Sequence, residues 1–351
     1  MNEGAMDKHV NRAARRRVTM EDVGRMAGVS QVTVSRALSD PSKVSAATLR
    51  KIHEAVELTG FVRNAVAGAL ASRRTGLIGA VVPSITNVTY SSMIRALSEG
   101  LRPAGYEILM SETGFDEPRE DEAILTHLSR QPDVILLTGV HHSATSRRRL
   151  LGAGIPVVEL WDVTDQPIDQ CVGFDHGDAG RAAAAFARGR GYDRAATVTA
   201  SDVRAARRSR AFAERFAEGR PGLPVPDLNV GGPASIEAGR RGLARLLDGD
   251  GPGQGRALHA GLIYCSSDIL AHGVLIEAAS RGLSVPGDLA VLGFGDQDFA
   301  RHLEPALSTV RIDLDRLGRL AADTILSRMD GQPVERAVFD IGHELIARAS
   351  T

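Results

Sequence analysis

The run Gln31–Leu38 combines side-chain types that can contact a nucleic acid, and it reads QVTVSRAL. At helical spacing Val34 and Leu38 can face a core, while five polar or small apolar side chains remain outside: Gln31, Val32, Thr33, Ser35 and Arg36. Arginine can donate two parallel hydrogen bonds to guanine, glutamine can pair with adenine, and valine offers only a methyl contact. Hydroxyl groups suit contacts to phosphates. The run therefore has the chemistry of a surface that positions itself on DNA.

The residues before this run predict a first helix and a tight turn. Thr19, with Asp22 three positions later, forms a variant of the capping box. Three apolar residues then recur at helical spacing and are expected to face the core: Val23, Met26 and Ala27. Gly28 ends the helix in an AGVS turn.

Ser30 caps the second helix, and a third helix is predicted from about Ser45 to Thr59, with Gly60 as its stop. This is the pattern of a helix-turn-helix whose second helix can enter the major groove. A plain helical hairpin with the same glycine turn is the alternative that these local signals leave open.

The charges are distributed unevenly along the chain. Of the 351 residues, 43% are hydrophobic and 24% are charged, which is typical of a globular protein with two or three folded units. Residues 1–75 carry 13 basic and 7 acidic side chains, and the remainder carries 29 basic and 36 acidic ones. A basic segment on an acidic body suits binding to a polyanion, although charge runs are more often solvated faces.

The expected location is a reducing cytoplasm. The first residues, MNEGAMDKHVNRAARRR, have no apolar run of the kind that a secretion signal needs, and no stretch is apolar enough to span a membrane. Cys171 and Cys265 each lie in a strand-like run and are expected to be buried thiols rather than a disulfide or a metal pair.

After residue 74 short apolar runs alternate with helical stretches. The first series is LIGAVVP, YEILMSE, DVILLTG and IPVVEL, and the second is AATVTA, ALHAGLIYCS and LAVLGFG. This rhythm predicts an α/β fold with two doubly wound parallel-sheet lobes, each binding ligands at the carboxyl ends of its strands. Signatures for a dinucleotide, a P-loop, a nucleophile elbow or a metal pair are missing, so no cofactor, no metal and no enzymatic activity are expected.

Three segments together resemble the lactose-repressor (LacI) family of bacterial regulators: GVSQVTVSRAL, PSKVSAATLRKI and NAVAGALASRRTGLIG. The resemblance covers nearly the whole chain from about residue 18. It implies a flexible basic tail (1–17), a helix-turn-helix headpiece (18–63), a hinge helix (64–74) and a periplasmic-binding-protein-like core of two lobes (75–351).

The resemblance also implies which residues contact DNA. Gln31, Val32 and Arg36 would reach base edges, while phosphates would be held by Thr19, Thr33 and Ser35. In the hinge, Asn64 and Ala67 match the family pattern, and Leu70 would wedge into the minor groove, a known way to kink DNA. Arg63 stands where the family usually has proline. An ordinary linker is the alternative for this segment.

For the effector, positions carried over from the family fall where strands end. They are Ser84, Thr86, Thr138, Asp162, Asp175, Arg208, Ser267 and Asp296. Each aspartate could instead be a helix N-cap or a turn residue. Two positions depart from the pattern of sugar-binding members, because Ser267 replaces a common asparagine and Gly295 replaces a common aspartate.

The segment AGIPVVELWDVTDQPIDQCVGFDHGDAGRAA resembles the gluconate-operon repressor branch, which implies gluconate or a related sugar acid as inducer. A sugar acid needs a cation opposite its carboxylate. Arg208 would supply that cation, with Arg204 and Arg207 nearby, or else His141 or His142 would do so. Asp162 and Asp175 would accept hydrogen bonds from hydroxyl groups. A neutral sugar and a sugar phosphate are the alternatives, and Trp161 would either stack on a sugar or pack in the core.

Together these features predict a homodimeric repressor that binds palindromic operator DNA and is released by a sugar acid, without contact to a membrane. A plain sugar-binding transport module would have a secretion signal and no headpiece, and an enzyme would have a recognisable catalytic motif.

Overall fold

The computed structural model describes residues 18–62, 74–249 and 253–351. This described part divides between Thr75 and Gly76 into two units. The first unit is helical, and the second carries both β-sheets. The predicted tail (1–17) and nearly all of the predicted hinge (64–73) lie outside the described residues.

The helical unit contains α1 (Met20–Ala27), α2 (Gln31–Ser39) and α3 (Ala46–Thr59). The side chains of Thr19, Ser30 and Ser45 cap these helices by accepting a backbone N–H from the first turn. Gly28 and Gly60 end α1 and α3 in the left-handed conformation that favours glycine. The caps Thr19 and Ser30, the two glycine stops and the start of the third helix near Ser45 were predicted and are confirmed.

The core of the helical unit is built around Val23, Val34 and Ile52, each fully buried. Leu38 packs against this core and is partly buried. The prediction that Met26 faces the core is wrong, because this side chain is 54% exposed. A helix of two turns presents only a narrow stripe to its neighbours, and Val23 and Ala27, one turn apart, occupy it.

The first lobe contains six strands: β1 (Leu77–Val82), β2 (Glu107–Glu112), β3 (Val134–Thr138), β4 (Val157–Leu160), β5 (Gln170–Gly173) and β11 (Val338–Asp340). Their order is β11-β5-β4-β3-β1-β2, and all neighbouring pairs are parallel. Its helices are α4 (Val88–Leu101), α5 (Glu117–Leu128), α6 (Ala144–Ala153) and α11 (Leu314–Met329), of which α11 packs on α4.

The second lobe contains β6 (Ala195–Thr199), β7 (Asp227–Asn229), β8 (Leu262–Cys265), β9 (Ala290–Gly295), β10 (Ser308–Arg311) and β12 (Glu344–Ile346). Their order is β12-β10-β9-β8-β6-β7, with β12 antiparallel to β10. Its helices are α7 (His176–Gly189), α8 (Val203–Ala217), α9 (Ile236–Asp248) and α10 (Asp268–Ser280). Short 3-10 turns lie at Pro41–Lys43, Arg102–Ala104, Gly255–Leu258 and Asp298–His302.

The two predicted lobes are confirmed, but their strands are not simply consecutive. The chain enters the second lobe after β5, returns to the first for α11 and β11, and ends in the second with β12. Four strands were not predicted: β7, β10, β11 and β12. They are three or four residues long and mix apolar with polar side chains, so they form no apolar runs of the kind on which the prediction depended.

Apolar packing joins the two lobes. One hydrophobic cluster contains Leu136 of the first lobe together with Phe212, Tyr264 and Phe294 of the second. The lobes are therefore held together by a shared core in addition to the crossing segments. Both cysteines are buried, as predicted. Within the described ranges, the helices are all too short or too polar to cross a membrane.

Candidate DNA-binding face and effector cleft

Helix α2 turns one face into the core and the other outward. Val34 and Ala37 are buried, whereas Gln31, Val32 and Arg36 are exposed. Val32 is 65% exposed, although burial of a valine side chain would stabilise the folded protein. An apolar side chain between a glutamine and an arginine on an open helix face is suited to contact the methyl group of thymine.

Of the three predicted phosphate contacts, Thr19 and Thr33 lie at helix starts and Ser35 lies in the middle of α2. Thr33 shares a hydrogen bond with Ser30, with 2.9 Å between the two hydroxyl oxygens, and Ser35 is half-buried on α2. Thr19 donates its hydroxyl to the Oδ2 atom of Asp22 at 2.7 Å. A phosphate held by the Thr19 hydroxyl would have to replace that bond. Asn64, Ala67 and Leu70 lie outside the described residues.

Two adjoining cavities lie between the lobes, at the carboxyl ends of strands from both sheets. Chamber A has a volume of about 530 Å³ and chamber B about 420 Å³. They share three lining residues: Phe115, Ser201 and Asp202. This position, where the ends of parallel strands meet, is the expected place for a ligand in such a fold.

Six of the eight predicted effector residues line these chambers. Thr138 and Asp162 line chamber A, and four others line chamber B: Ser84, Thr86, Arg208 and Ser267. Ser267 also caps α10 by accepting the backbone N–H of Leu270.

Asp175 and Asp296 line neither chamber. Asp175 caps α7, with its Oδ1 atom 3.0 Å from the backbone nitrogen of Asp178. Asp296 is buried between two arginines, with its carboxylate oxygens 2.7 Å from Nε of Arg311 and 2.6 Å from Nη2 of Arg348. Asp175 therefore has the N-cap role that the sequence left as its alternative, whereas Asp296 takes part in ion pairs that the sequence did not predict.

Arg208 is held from several sides at the wall of chamber B. Its Nη1 atom lies 2.7 Å from Nδ1 of His176, and its Nη2 atom donates to the carbonyl of Ser266 at 2.9 Å. Its guanidinium carbon lies 3.9 Å from the ring centre of Phe294. Burial and the charge of Arg208 lower the pKa of His176 well below its usual value, so the imidazole is neutral. Its Nδ1 can then accept from Arg208 while Nε2 donates to the carbonyl of Trp161.

His142 is not available as a cation for the ligand. Its side chain is buried between two carboxylates, with Nδ1 2.7 Å from Glu120 and Nε2 3.3 Å from Glu159. Burial alone would lower the pKa of His142, but hydrogen bonds to the two glutamates raise it to about 9. The imidazolium of His142 therefore balances the carboxylate of Glu120. Glu120 and His141 both line chamber A.

Trp161 belongs mainly to the core. It is 4% exposed and packs edge-on against Phe174, with ring centres 5.0 Å apart, and against Tyr90 at 5.8 Å. Trp161 also lines chamber B, where a ligand would meet a side chain held in an aromatic cluster.

Several lining residues were missed at the level of sequence. They are Tyr90, Phe115, Ser201, Asp202, Asn229, Phe294 and Gln297. Most lie at or directly after the carboxyl ends of β2, β6, β7 and β9, so the rule that found Thr138 and Asp162 could have found them as well. Tyr90, inside α4, carries no such signal.

Comparisons with known proteins agree with this architecture. The family model for bacterial regulatory proteins of the lacI family matches residues 19–64, and the model for a periplasmic binding protein-like domain matches residues 184–351. The HTH-type transcriptional regulator GntR of Pseudomonas aeruginosa is 35% identical over 338 residues, which cover 95% of this chain and 96% of that protein. The chain belongs to the lacI family of bacterial regulatory proteins.

This regulator is also 29% identical to the HTH-type transcriptional regulator GntR of Escherichia coli K12, over 94% of its own length and 98% of the relative's. A crystal structure of a lacI family transcriptional regulator from Silicibacter pomeroyi matches it with a TM-score of 0.86 and 28% identity, covering 95% of this chain and 99% of the other. The regulator is therefore a DNA-binding transcriptional regulator with a periplasmic-binding-protein-like effector domain, and not an enzyme.

Proposed function

We propose that this regulator is a homodimeric repressor that leaves a palindromic operator when it binds a sugar acid such as gluconate. A dimer presents two copies of α2, and its twofold symmetry matches that of two operator half-sites. A bacterial repressor works in the cytoplasm, where its operator DNA lies, and two buried cysteines without a disulfide suit that compartment.

The DNA-binding part of the proposal is supported by the open face of α2. Gln31, Val32 and Arg36 are exposed together, whereas the core side of the same helix is buried. The basic excess of residues 1–75, with 13 basic and 7 acidic side chains, supplies the attraction to phosphates that any DNA-binding unit needs.

The observation that carries the sugar-acid assignment is buried positive charge in the cleft. Arg204 and Arg208, on the first two turns of α8, are 8% and 5% exposed. Among the described residues, neither guanidinium has a carboxylate within hydrogen-bond distance. A buried cation without a direct counter-ion is costly, and a ligand carboxylate would compensate it, whereas a neutral sugar would not.

The cleft also offers acceptors for the hydroxyl groups of a polyol chain. Asp162, Asp202 and Asn229 line chamber A, and their side chains carry carboxylate or amide oxygens, which accept hydrogen bonds. Ser267 and Gly295 stand where neutral-sugar readers of the family have an asparagine and an aspartate. These substitutions and the resemblance of the segment around Asp162 to the gluconate-operon repressor branch both favour an acidic sugar.

Helix α8 is placed to couple the ligand to the arrangement of the lobes. It belongs to the second lobe, yet Arg204 reaches the carbonyl of Thr138 and Arg207 reaches Asp162, both at strand ends of the first lobe. A ligand that binds these arginines would therefore change contacts between the lobes. Coupling free energies of this kind are typically about 1–3 kcal/mol.

A thermal-shift screen of the full-length protein tests the ligand class. Gluconate at a hundred times its dissociation constant should stabilise the folded state by about 2.7 kcal/mol. Glucose and 6-phosphogluconate, at the same concentration, should shift the unfolding midpoint less. A larger shift with glucose would support a neutral-sugar sensor, and a larger shift with the phosphorylated acid would support a sugar-phosphate sensor; either result would reject the assignment.

A further inference from the structure

Three arginines of α8 approach the cleft, and they differ in how firmly the protein holds them. We propose that Arg204, and not Arg208, binds the carboxylate of the effector, so that the ligand class is an aldonate with its acid end in chamber A. This inference rests on the proposed function, because it assigns a role within the same sugar-acid site.

Arg207 is already neutralised. Its guanidinium donates two hydrogen bonds to the buried carboxylate of Asp162, with Nη2–Oδ1 at 2.6 Å and Nη1–Oδ2 at 3.2 Å. A bidentate pair of this geometry is among the strongest side-chain contacts. Arg207 therefore has little positive charge to offer a ligand.

Arg208 is committed to the protein by both terminal nitrogens. They lie 2.7 Å from His176 and 2.9 Å from the carbonyl oxygen of Ser266, and the guanidinium stacks on Phe294. Its Nε atom is buried without a hydrogen-bond partner among the described residues. That single donor suits one hydroxyl oxygen of the polyol, whereas a bidentate carboxylate contact would require the short bonds to break.

Arg204 is buried but loosely held. Its Nη1 and Nη2 atoms lie 3.4 Å from the Thr138 carbonyl and from the Tyr90 hydroxyl, at the long limit of hydrogen bonding. Within the described part of the chain, its nearest carboxylate is that of Asp202, 3.9 Å from Nε. Its guanidinium carbon lies 5.6 Å from the ring centre of Phe115 and 6.0 Å from that of Tyr90. Two rings and two long hydrogen bonds orient the group, and the carboxylate of Asp202, beyond hydrogen-bond distance, compensates its charge only in part.

The backbone at the end of β3 is shaped to admit this guanidinium. Gly139 has a φ of +103°, a backbone conformation that residues other than glycine rarely adopt. A Cβ atom at Gly139 would lie 3.1 Å from Nη1 of Arg204. The wall of chamber A is therefore cut back at the point where the arginine lies.

The other charges of chamber A favour an acid group at Arg204 and hydroxyl groups further out. Glu120 is paired with protonated His142, and Asp116 and Glu117 are exposed at the start of α5. Ser201 and Asp202 lie between the chambers, where they can accept from the hydroxyl groups of an extended chain. Arg204 is thus buried, whereas Asp116 and Glu117 are exposed, an arrangement that suits an aldonate with its acid end at Arg204.

Calorimetric titration of the full-length protein with gluconate and gluconamide tests this assignment, since the amide is nearly isosteric with the acid but uncharged. Wild-type protein should prefer gluconate by about 10- to 100-fold, the size of a hydrogen-bonded charge contact. R204Q should reduce that ratio to near one, and R204K should keep part of it. R208Q should weaken both ligands to a similar extent, and R210Q, which changes an exposed arginine on the same helix, should change neither.

An R204Q protein that keeps the wild-type ratio would overturn the role of Arg204 while leaving the proposed function intact. A wild-type protein that binds neither ligand, or binds both equally, would instead overturn the sugar-acid assignment itself. If R204Q does not fold, R204K decides, because lysine loses the forked geometry and an unchanged ratio would contradict the proposal.

Discussion

Arg207 and Asp162 form an ion pair that connects the two lobes beside the effector cleft. Arg207 lies on α8 of the second lobe, and Asp162 follows β4 of the first. The carboxylate of Asp162 is fully buried, and its Oδ1 atom also accepts the backbone N–H of Val163 at 2.8 Å. The cleft therefore has a short, bidentate ion pair at Arg207, whereas Arg204 and Arg208 have no carboxylate within hydrogen-bond distance among the described residues, and an acidic ligand can use this asymmetry.

Removing Arg207 should destabilise the core more than its partial exposure suggests. In R207M the buried Asp162 carboxylate would lose its counter-charge, at a cost of about 3 kcal/mol in the free energy of unfolding. Urea denaturation measures this loss, with R210M as the matched control on the same helix.

The double variant R207M/D162N should recover most of that stability, because an amide needs no counter-charge. A double variant as unstable as R207M alone would show that the loss comes from packing and not from the unpaired carboxylate.

His142 should make stability depend on pH in the alkaline range. Its pKa is about 9 in the folded protein and near 6.5 when unfolded, so the folded state holds an extra proton between these values. The stabilisation from His142 is therefore complete below about pH 6.5 and is lost as the pH rises through 9.

Unfolding free energies of wild type and H142Q at pH 6, 8 and 10 measure this effect. The advantage of the wild type should shrink steadily along the series. A difference that is constant or grows with pH would mean that the imidazole between Glu120 and Glu159 is not protonated.

Arg36 should contribute sequence discrimination rather than general affinity. If Arg36 donates two hydrogen bonds to a guanine, R36A should lose about 1–3 kcal/mol of binding free energy on the preferred operator. It should then bind duplexes that differ at that base pair with nearly equal affinity. Binding to selected duplexes with single base changes measures this, and R25A, on α1, is the control. Uniform weakening on all duplexes would instead place Arg36 on the phosphate backbone.

Leu70 should matter for DNA and not for the effector. This residue lies outside the described residues, and its role follows from the family resemblance of the hinge segment. L70A should reduce operator affinity while calorimetry shows unchanged effector binding. Operator affinity equal to that of the wild type would reject the wedge.

The helical unit could be predicted almost completely because its signals are local. Thr19, Ser30 and Gly60 determine helix ends through hydrogen bonds and backbone conformation within a few residues. The exposure of the Met26 side chain could not be predicted from local signals, because it depends on where the neighbouring helices pack.

The cleft was predicted less fully because the roles of identical residue types depend on tertiary contacts. Asp162 and Asp175 both follow strands, yet only Asp162 lines a chamber, while Asp175 caps a helix. Likewise Arg204, Arg207 and Arg208 fall within five positions, and only their tertiary contacts distinguish them. Arg207 is neutralised by Asp162, Arg208 is held by short hydrogen bonds, and Arg204 is held loosely.

If a sugar acid weakens operator binding, fluorescence anisotropy of a selected palindromic duplex with the full-length protein measures the effect directly. Saturating gluconate should raise the dissociation constant of the operator complex by about 5- to 150-fold, and equal concentrations of gluconamide should leave it nearly unchanged. An operator affinity that does not change at gluconate concentrations shown by calorimetry to be saturating would contradict the account.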